Sequence, residues 1–260
     1  MFADTHCHLR CIDPDNPDNN GIIENAIERK VSLVIDISTG LDDFLKRREL
    51  IIRLSRKYPA GFYLTAGIPP YFAQKRKRRD MALLREQCLA DSRVVAVGEC
   101  GLDYHHEYGS KKEQRSLFVD QIELADEIGL PVVVHSRDAD SDLIGLLESH
   151  TPRNGAIIHC FSSGPETAAR LLDLGCTLSF AGNITYKRSH GVRETARMVP
   201  SDRYVIETDS PYLPPEGMRG TPNEPANVAI IGTFIADLRG DSVETVAFET
   251  KKNARRAFRL

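Results

Sequence analysis

Short apolar runs alternate with longer amphipathic stretches along the whole chain, and few folds are compatible with this alternation. Short runs rich in Val, Ile and Phe are typical of buried strands, whereas apolar residues repeating about every three or four positions are typical of helices. Strands are predicted at eight places, which are 2–8, 32–37, 62–67, 94–99, 131–135, 156–161, 177–181 and 204–208. Continuous runs such as Val132, Val133 and Val134 favour parallel strands that are buried on both faces.

Helical patterns lie between these strands, most clearly at 114–127, and two more are predicted around 225–238 and 242–258. Such an alternation indicates an α/β fold with a parallel sheet. No internal repeat or linker-like segment divides the chain, so residues 1–260 are predicted to form a single domain. The simplest arrangement is a closed (β/α)8 barrel of the TIM type, and a doubly wound open sheet is the alternative. In a barrel of this type, functional residues lie at the C-terminal ends of the strands.

Composition excludes several classes of protein. The formal net charge of −3 rules out a uniformly basic surface, so any contact with nucleic acid requires a local basic patch. No apolar stretch approaches the roughly 18 residues of a membrane span, and the N-terminus does not resemble a signal peptide. We therefore expect a cytoplasmic protein that makes no use of a membrane. The six cysteines are expected to be reduced. Cys7, Cys100 and Cys160 are expected to point away from the preceding residue toward the covering helices, as small buried apolar residues.

Polar side chains lie at the ends of four of the predicted strands and just beyond the end of a fifth. In chain order they are His6, His8, Glu99, His135, His159 and Asp209. Burying a lone polar side chain at an apolar strand end costs about 1–3 kcal/mol when it has no partner. Because the strand ends of a closed barrel form one rim, these side chains can share a partner. Imidazoles and carboxylates together are ligands of divalent cations, so the pattern predicts a metal site.

Six ligands are too many for one open catalytic ion and suit two ions about 3.5–4 Å apart. The predicted sets are His6, His8 and Asp209 for one ion and His135 and His159 for the other, with Glu99 bridging them. Ions so placed activate water, and Asp209 is predicted to orient that water or to accept its proton. Asp209 and Glu99 are therefore the predicted catalytic residues of a hydrolase. Imidazole ligands suit Zn²⁺ or Mn²⁺, whereas phosphoryl chemistry often uses Mg²⁺.

These six residues lie in five of seven segments that are spread over nearly the whole chain. The seven segments are DTHCHL (4–9), VGECGLDY (97–104), PVVVHSRDA (131–139), HCFS (159–162), GNITYK (182–187), ETDSPYL (207–213) and NEPANV (223–228). In this order they resemble the motifs of the TatD family of metal-dependent deoxyribonucleases, a branch of the amidohydrolase-like barrels. The resemblance implies a TIM-type barrel and a two-metal centre with the six ligands named above. It also implies hydrolysis of phosphodiester bonds in DNA, often from the 3′ end.

The segment after the third predicted strand departs from the family pattern. The family usually carries a histidine there, in a Gly-x-His-Pro motif, whereas Pro69 takes that place in this chain. Proline can neither donate a proton nor bind a metal. This departure bears on the choice of substrate and on the strength of nuclease activity rather than on the metal ligands.

Several residues near the predicted rim are candidates for binding substrate. Arg137 is placed to bind a phosphate, although an ion pair with a neighbouring carboxylate is the competing interpretation. Tyr104 is a candidate for stacking on a base, with packing of its ring as the alternative, and Lys187 is a further candidate. The basic run 75–79 either contacts a phosphate backbone or forms a solvated loop.

Three other residues near the rim are polar. Glu207 is predicted to support a metal-binding histidine or to be a buried, paired carboxylate. His105 and His106 are assigned no role, because histidines are common in polar loops.

The leading hypothesis is a metal-dependent hydrolase of ester bonds, a deoxyribonuclease of the 3′-5′ exonuclease type. Its expected partner is DNA, as single strands or 3′ ends, and no protein partner is predicted. The alternative keeps both metal ions but acts on a small amide, lactone or phosphoester. This alternative is favoured by Pro69, which stands where the family usually carries a histidine. A third hypothesis is a protein that binds DNA through its metals without cleaving it.

Overall fold

In the computed structural model, residues 1–13, 19–106 and 108–260 are described, and within them eight parallel strands form one sheet in chain order. The strands are β1 (Phe2–Cys7), β2 (Val31–Asp36), β3 (Gly61–Ala66), β4 (Val94–Asp103), β5 (Val132–Arg137), β6 (Ala156–Ile158), β7 (Thr177–Phe180) and β8 (Tyr204–Ile206). The sheet curves into a nearly closed barrel, because the backbone N–H of Asp209 donates to His6 and that of His8 donates to Ser210. The predicted (β/α)8 fold of the TIM type is confirmed.

Helices connect the strands and cover the outside of the barrel. Within the described ranges they are α1 (Leu9–Ile12), α2 (Asn20–Glu28), α3 (Phe44–Lys57), α4 (Asp80–Leu89), α5 (Lys111–Ile128), α6 (Asp140–Ser149), α7 (Pro165–Asp173), α8 (His190–Met198), α9 (Val228–Arg239) and α10 (Val243–Ala257). The helices predicted at 114–127, 225–238 and 242–258 are confirmed as α5, α9 and α10. None of the helices in the described ranges is both long and apolar enough to cross a membrane.

Four strand ends differ from the sequence prediction by two or more residues. β4 continues to Asp103 and β5 to Arg137, because residues 100–103 pair with residues 134–137. By contrast, β6 and β8 end early, before His159 and Asp209. Cys160 (φ 46°) and Asp209 (φ 57°) have left-handed backbone, and both lie beyond the last residue of the strand before them. His159 is the first residue after β6 and Asp209 is the third after β8, so both side chains project from loops.

The core has two layers, and their arrangement leaves one end of the barrel open. Inside the barrel, side chains such as Leu33, Val95 and Val133 pack together, and Ala254 and Phe258 from the end of the chain pack beneath them. A larger apolar layer fills the space between the sheet and the surrounding helices. The barrel is thus filled at the N-terminal ends of its strands, and polar side chains collect at the C-terminal ends.

Two of the three cysteines behave as predicted. Cys7 and Cys100 are fully buried in the apolar layer outside the sheet, so both thiols face away from the barrel interior. Cys160 departs from the prediction because the chain has already left the strand at this residue. The residue is only half buried, and its sulfur lies 3.7 Å from Nδ2 of Asn183.

Candidate metal centre

The six predicted ligands meet at the open end of the barrel, where a cavity of about 420 Å³ is formed. Five of them line the cavity wall, namely His8, Glu99, His135, His159 and Asp209. His6 lies directly behind them and is fully buried, with its ring stacked on that of His159 at 3.9 Å. The fold therefore brings together side chains that are up to 203 positions apart in the sequence, His6 and Asp209 being the most distant pair (209 − 6).

The first set consists of His6, His8 and Asp209. The Nε2 atoms of His6 and His8 lie 3.3 Å apart, and each lies 3.5 Å from Oδ1 of Asp209. Nδ1 of His8 donates a hydrogen bond to the carbonyl of Ile37, which leaves Nε2 with its lone pair toward the cavity. The backbone just before Asp209 is held in place by Thr208, because the backbone N–H and the hydroxyl of Thr208 both donate to the carboxylate of Asp4. All three donor atoms of the set thus face one point.

The second set consists of His135 and His159, with Glu99 between the two sets. Nδ1 of His135 lies 3.1 Å from Nε2 of His159 and 3.0 Å from Oε1 of Glu99. The other carboxylate oxygen of Glu99 faces the first set, at 3.7 Å from Nε2 of His6. Glu99 therefore presents one oxygen to each set, which is the arrangement of a bridging ligand.

Carboxylates orient the imidazoles of the second set from behind. Nδ1 of His159 lies 3.1 Å from Oε1 of Glu207, and Nε2 of His135 lies 3.3 Å from Oδ2 of Asp103. Such contacts select the ring nitrogen that remains available for a metal and hold the ring in place. The remaining oxygen of Glu207 accepts a hydrogen bond from Ser179, so this carboxylate is already satisfied.

The spacing of the donor atoms fits divalent cations. A cation that holds two nitrogens at about 2.1 Å in tetrahedral geometry keeps them about 3.4 Å apart. The nitrogen pairs of the two sets are separated by 3.3 Å and 3.1 Å, close to this value. His6, His159 and Glu207 also lie within reach of one another, but the facing atoms of His159 and Glu207 already contact each other. The two sets joined by Glu99 are therefore the better candidates.

The electrostatics of the second set also favour bound positive charge. Burial by itself opposes ionisation of Glu99, yet the hydrogen bond from His135 and the nearby imidazoles lower the pKa of Glu99 to about 2. For His135, burial disfavours the charged ring, but the contacts with Asp103 and Glu99 outweigh it and raise the pKa of His135 to about 10. In the first set, burial and the neighbouring imidazoles hold the pKa of His6 well below its usual range. The carboxylates thus attract a cation, or a proton in its absence.

Binding of Zn²⁺ or Mn²⁺ at neutral pH is expected to release protons and to tighten as pH rises. Metal binding requires a neutral imidazole, and the raised pKa of His135 means that its ring carries a proton until a cation displaces it. Each displaced proton strengthens the apparent affinity by up to about tenfold per pH unit. Titration calorimetry in buffers of different ionisation enthalpy measures the number of protons released. An affinity that stays constant between about pH 6 and 8 would contradict this expectation.

The three predicted substrate contacts lie in different places. Arg137 is exposed and lines the cavity, and it makes no ion pair within the described part of the chain. Tyr104 lies in a neighbouring cavity, where its hydroxyl donates to Asp142 and the ammonium group of Lys111 lies 4.3 Å from its ring centroid. Lys187 is exposed beyond β7 and is not among the described residues that line the cavity.

Sequence reasoning missed Asp103 and assigned His106 no role. Asp103 contacts His135 on one side and Nδ1 of His106 on the other, at 2.9 Å, and both Asp103 and His106 line the cavity. Asp103 lies four residues beyond Glu99, so an extended strand would have placed both on one face. This signal was lost because β4 was predicted to end at Glu99. His105, by contrast, pairs with Asp138 at the surface.

The basic run 75–79 lies near the same end of the barrel but outside the metal cavity. Lys75 and Lys77 line a neighbouring cavity of about 410 Å³, together with Phe72. Arg76 forms an ion pair with Asp120 of α5, which leaves it less available to a ligand. The exposed cations of this run therefore stand beside the cavity rather than over it.

The chain is similar over nearly its whole length to proteins of one family. The sequence model of a family described as TatD related DNase matches residues 3–259 of the chain. The chain is 35% identical over 264 aligned residues to an uncharacterized metal-dependent hydrolase, YcfH, of Escherichia coli K12, with 100% of this chain and 96% of the relative covered. It is 34% identical over 250 residues to a protein of Erwinia tasmaniensis named 3′-5′ ssDNA/RNA exonuclease TatD, with 94% of each chain covered.

Among solved structures, the fold is similar to that of YjjV, a TatD homologue from Escherichia coli K12. The TM-score is 0.90 at 28% sequence identity, and the match covers 100% of this chain and 98% of the other. A TatD family hydrolase from Entamoeba histolytica shares the fold at a TM-score of 0.87 and 22% identity, covering 98% and 97% of the two chains.

Proposed function

The chain belongs to the family of TatD-related DNases and is a metal-dependent hydrolase of ester bonds, and we propose that it removes nucleotides from the 3′ ends of single-stranded DNA. The observation that carries this proposal is the position of Glu99 between two facing pairs of imidazoles, in a cavity that Arg137 also lines. The relative from Erwinia tasmaniensis, named an exonuclease of single-stranded DNA and RNA, supports the choice of substrate.

We propose that His6, His8 and Asp209 hold one divalent ion and His135 and His159 hold another, with Glu99 as their common ligand. Bound divalent cations supply Lewis acidity, since they lower the pKa of water and neutralise charge on a phosphate. The imidazole-rich donor set favours Zn²⁺ or Mn²⁺ over Mg²⁺. Metal analysis of the protein purified without chelators identifies the resident ions.

The protein's own side chains take three roles in the proposed reaction. Arg137 binds a phosphate oxygen at the cavity wall and orients the scissile phosphodiester. Asp209, at the edge of the first set, accepts the proton of the attacking water. Asp103 keeps the ring of His135 in position through Nε2, so that Nδ1 stays directed at Glu99.

The activity is tested with a single-stranded oligonucleotide labelled at its 5′ end. We expect stepwise shortening from the 3′ end in the presence of Mn²⁺, Zn²⁺ or Mg²⁺, and a rate lower by about 10² to 10⁴-fold for Asp209→Asn, the usual loss for a missing general base. Asp237→Asn on α9 is the matched control, since Asp237 lies outside the metal cavity. Absence of nucleotide release with all three metals would count against the proposal.

A small phosphoester is the second candidate substrate. It is favoured by the cavity volume of about 420 Å³ and by Pro69, which stands where the family usually carries a histidine. Turnover of a small phosphodiester such as bis(p-nitrophenyl) phosphate at a higher kcat/KM than that of the oligonucleotide would favour this candidate.

Neutralising Lys75 and Lys77 is expected to weaken DNA binding and to make it less sensitive to salt. Each lysine that contacts a phosphate of a single strand contributes about 0.7 to the slope of log affinity against log salt, so the double Gln variant should lower the slope by about 1.4. Lys252→Gln with Arg255→Gln on α10 is the control, because these cations are exposed near the opposite end of the barrel. An unchanged slope would assign the run 75–79 to a solvated loop.

A further inference from the structure

Three tyrosines stand around the mouth of the metal cavity with much of their rings in water. Tyr71 and Tyr108 are each 36% exposed and Tyr212 is 54% exposed, and all three line the cavity. Single exposed aromatic residues are common on protein surfaces, but three that come from different loops and converge on one cavity form a patch. Such a patch indicates a ligand that has flat, apolar faces of its own.

Contacts among these rings hold one side of the mouth in place. The hydroxyl of Tyr71 donates to the carbonyl of Thr39 at 2.9 Å, which fixes the position of its ring. The ring centroids of Tyr71 and Tyr108 lie 5.7 Å apart, and the ring of His106 lies 5.0 Å from that of Tyr108. His106 is in turn held by Asp103. This side of the mouth is therefore a continuous aromatic surface, held by hydrogen bonds at Tyr71 and at His106.

Tyr212 approaches the mouth from another part of the barrel. It follows β8, whereas Tyr71 and Tyr108 follow β3 and β4, and in a ring of strands in chain order β8 lies four positions from β4. Its backbone N–H donates to the carbonyl of Asp209, and its own carbonyl accepts from Nδ2 of Asn223. Its ring contacts that of His8 at 5.9 Å. Aromatic surface therefore borders the cavity on two sides, with the candidate metal ligands between them.

A nucleobase matches this arrangement, because each base has two flat faces that stack on aromatic rings whatever its identity. Arg137 on the same cavity offers a cation to the adjoining phosphate. A volume of about 420 Å³ lies within the range of pockets for small ligands of about 300–1,000 Å³, so it admits the end of one strand rather than a duplex.

We infer that the wall formed by Tyr71 and Tyr108, together with Tyr212, is a binding site for the terminal nucleobase of a single-stranded nucleic acid. This inference rests on the proposed function and adds the means by which single-stranded ends are selected. Stacking holds the terminal base, so the adjoining phosphate is placed over the metal cavity. Because stacking is indifferent to base identity, the site accepts all four bases.

The test is a cycle that removes the protein ring, the substrate base, or both. The probe is a single-stranded oligothymidylate whose terminal linkage is a phosphorothioate that resists cleavage, carrying either a normal or an abasic 3′ nucleotide. Affinity is measured by fluorescence anisotropy with Mn²⁺ for the wild type, Tyr212→Leu, Tyr212→Phe and Tyr108→Leu. Phe248→Leu is the matched control, since Phe248 is an exposed ring on α10. Hydrolysis of the same strands with ordinary linkages is followed separately.

We expect Tyr212→Leu to weaken binding of the normal strand by about 5- to 150-fold, the usual effect of losing one stacked base, and Tyr212→Phe to stay within about twofold. The abasic end should weaken wild-type binding to a similar degree, and Tyr212→Leu should then add little. Equal affinity of the wild-type protein for normal and abasic ends would overturn the inference, and this result does not depend on the folding of any variant. If ordinary strands are hydrolysed but the effects of Tyr212→Leu and of the abasic end are simply additive, the base-binding site is wrong and the proposed function stands. If the two effects are not additive but no strand is hydrolysed, the proposed function alone is wrong. Absence of binding to either strand overturns both.

Discussion

Glu99→Gln is expected to lower kcat/KM for the oligonucleotide by about 10³-fold or more, within the range for loss of a group that acts directly at the reacting centre. Glu99 places one carboxylate oxygen near each pair of imidazoles, with Oε1 3.0 Å from His135 and Oε2 3.7 Å from His6. An amide keeps the shape of the side chain but lacks the negative charge, and one of its two oxygens is replaced by a donor.

The loss of activity should be accompanied by a loss of bound metal, measured by elemental analysis of the purified variant. Glu148→Gln is the control, because Glu148 forms only an exposed ion pair with Arg170 on the outer helices. A Glu99→Gln protein that retains both its metal and its rate would show that the two sets do not depend on a shared carboxylate. Thermal unfolding of both variants separates a local effect from a loss of folding.

Arg47→Met is expected to destabilise the protein by about 3–5 kcal/mol, the usual cost of leaving one partner of a buried ion pair uncompensated. Arg47 is 1% exposed, and its guanidinium donates to the carboxylate of Asp36 at 2.7 Å and to the carbonyl of Thr65. The other oxygen of Asp36 accepts from the backbone N–H of Leu9, directly after His8. This buried pair thus ties α3 to the ends of β2 and β3 and to the chain that leaves the metal centre.

Urea unfolding in the presence of a chelator measures this effect without a contribution from metal binding. The double variant Arg47→Met with Asp36→Asn should recover a large part of the loss, because it removes the uncompensated charge and keeps an acceptor for Leu9. Arg170→Met, which breaks an exposed pair, should cost less than about 1 kcal/mol. An effect of Arg47→Met no larger than this would show that water or another group compensates Asp36.

The barrel and the six candidate ligands were predictable because both depend on local patterns along the chain. Continuous apolar runs such as that of β5 are typical of parallel strands buried on both faces, whatever their partners. The ends of parallel strands share one edge, so the positions of Glu99 and His135 in their strands were enough to predict that they lie close together. The structure brings the six side chains together, and their roles as ligands stay predictions.

Other features depend on which strands and loops meet, and periodicity carries no information about that. The sequence alone determined the order of strands and helices and the polar residues at the strand ends, because these follow from the spacing of neighbouring residues. Only the tertiary structure extended β4 to Asp103, directed Tyr104 into a different cavity and gathered Tyr71, Tyr108 and Tyr212 at one mouth. Such contacts form only when the barrel closes and loops distant in sequence become neighbours. Their free energy depends on both partners, so it cannot be inferred from the sequence of either segment alone.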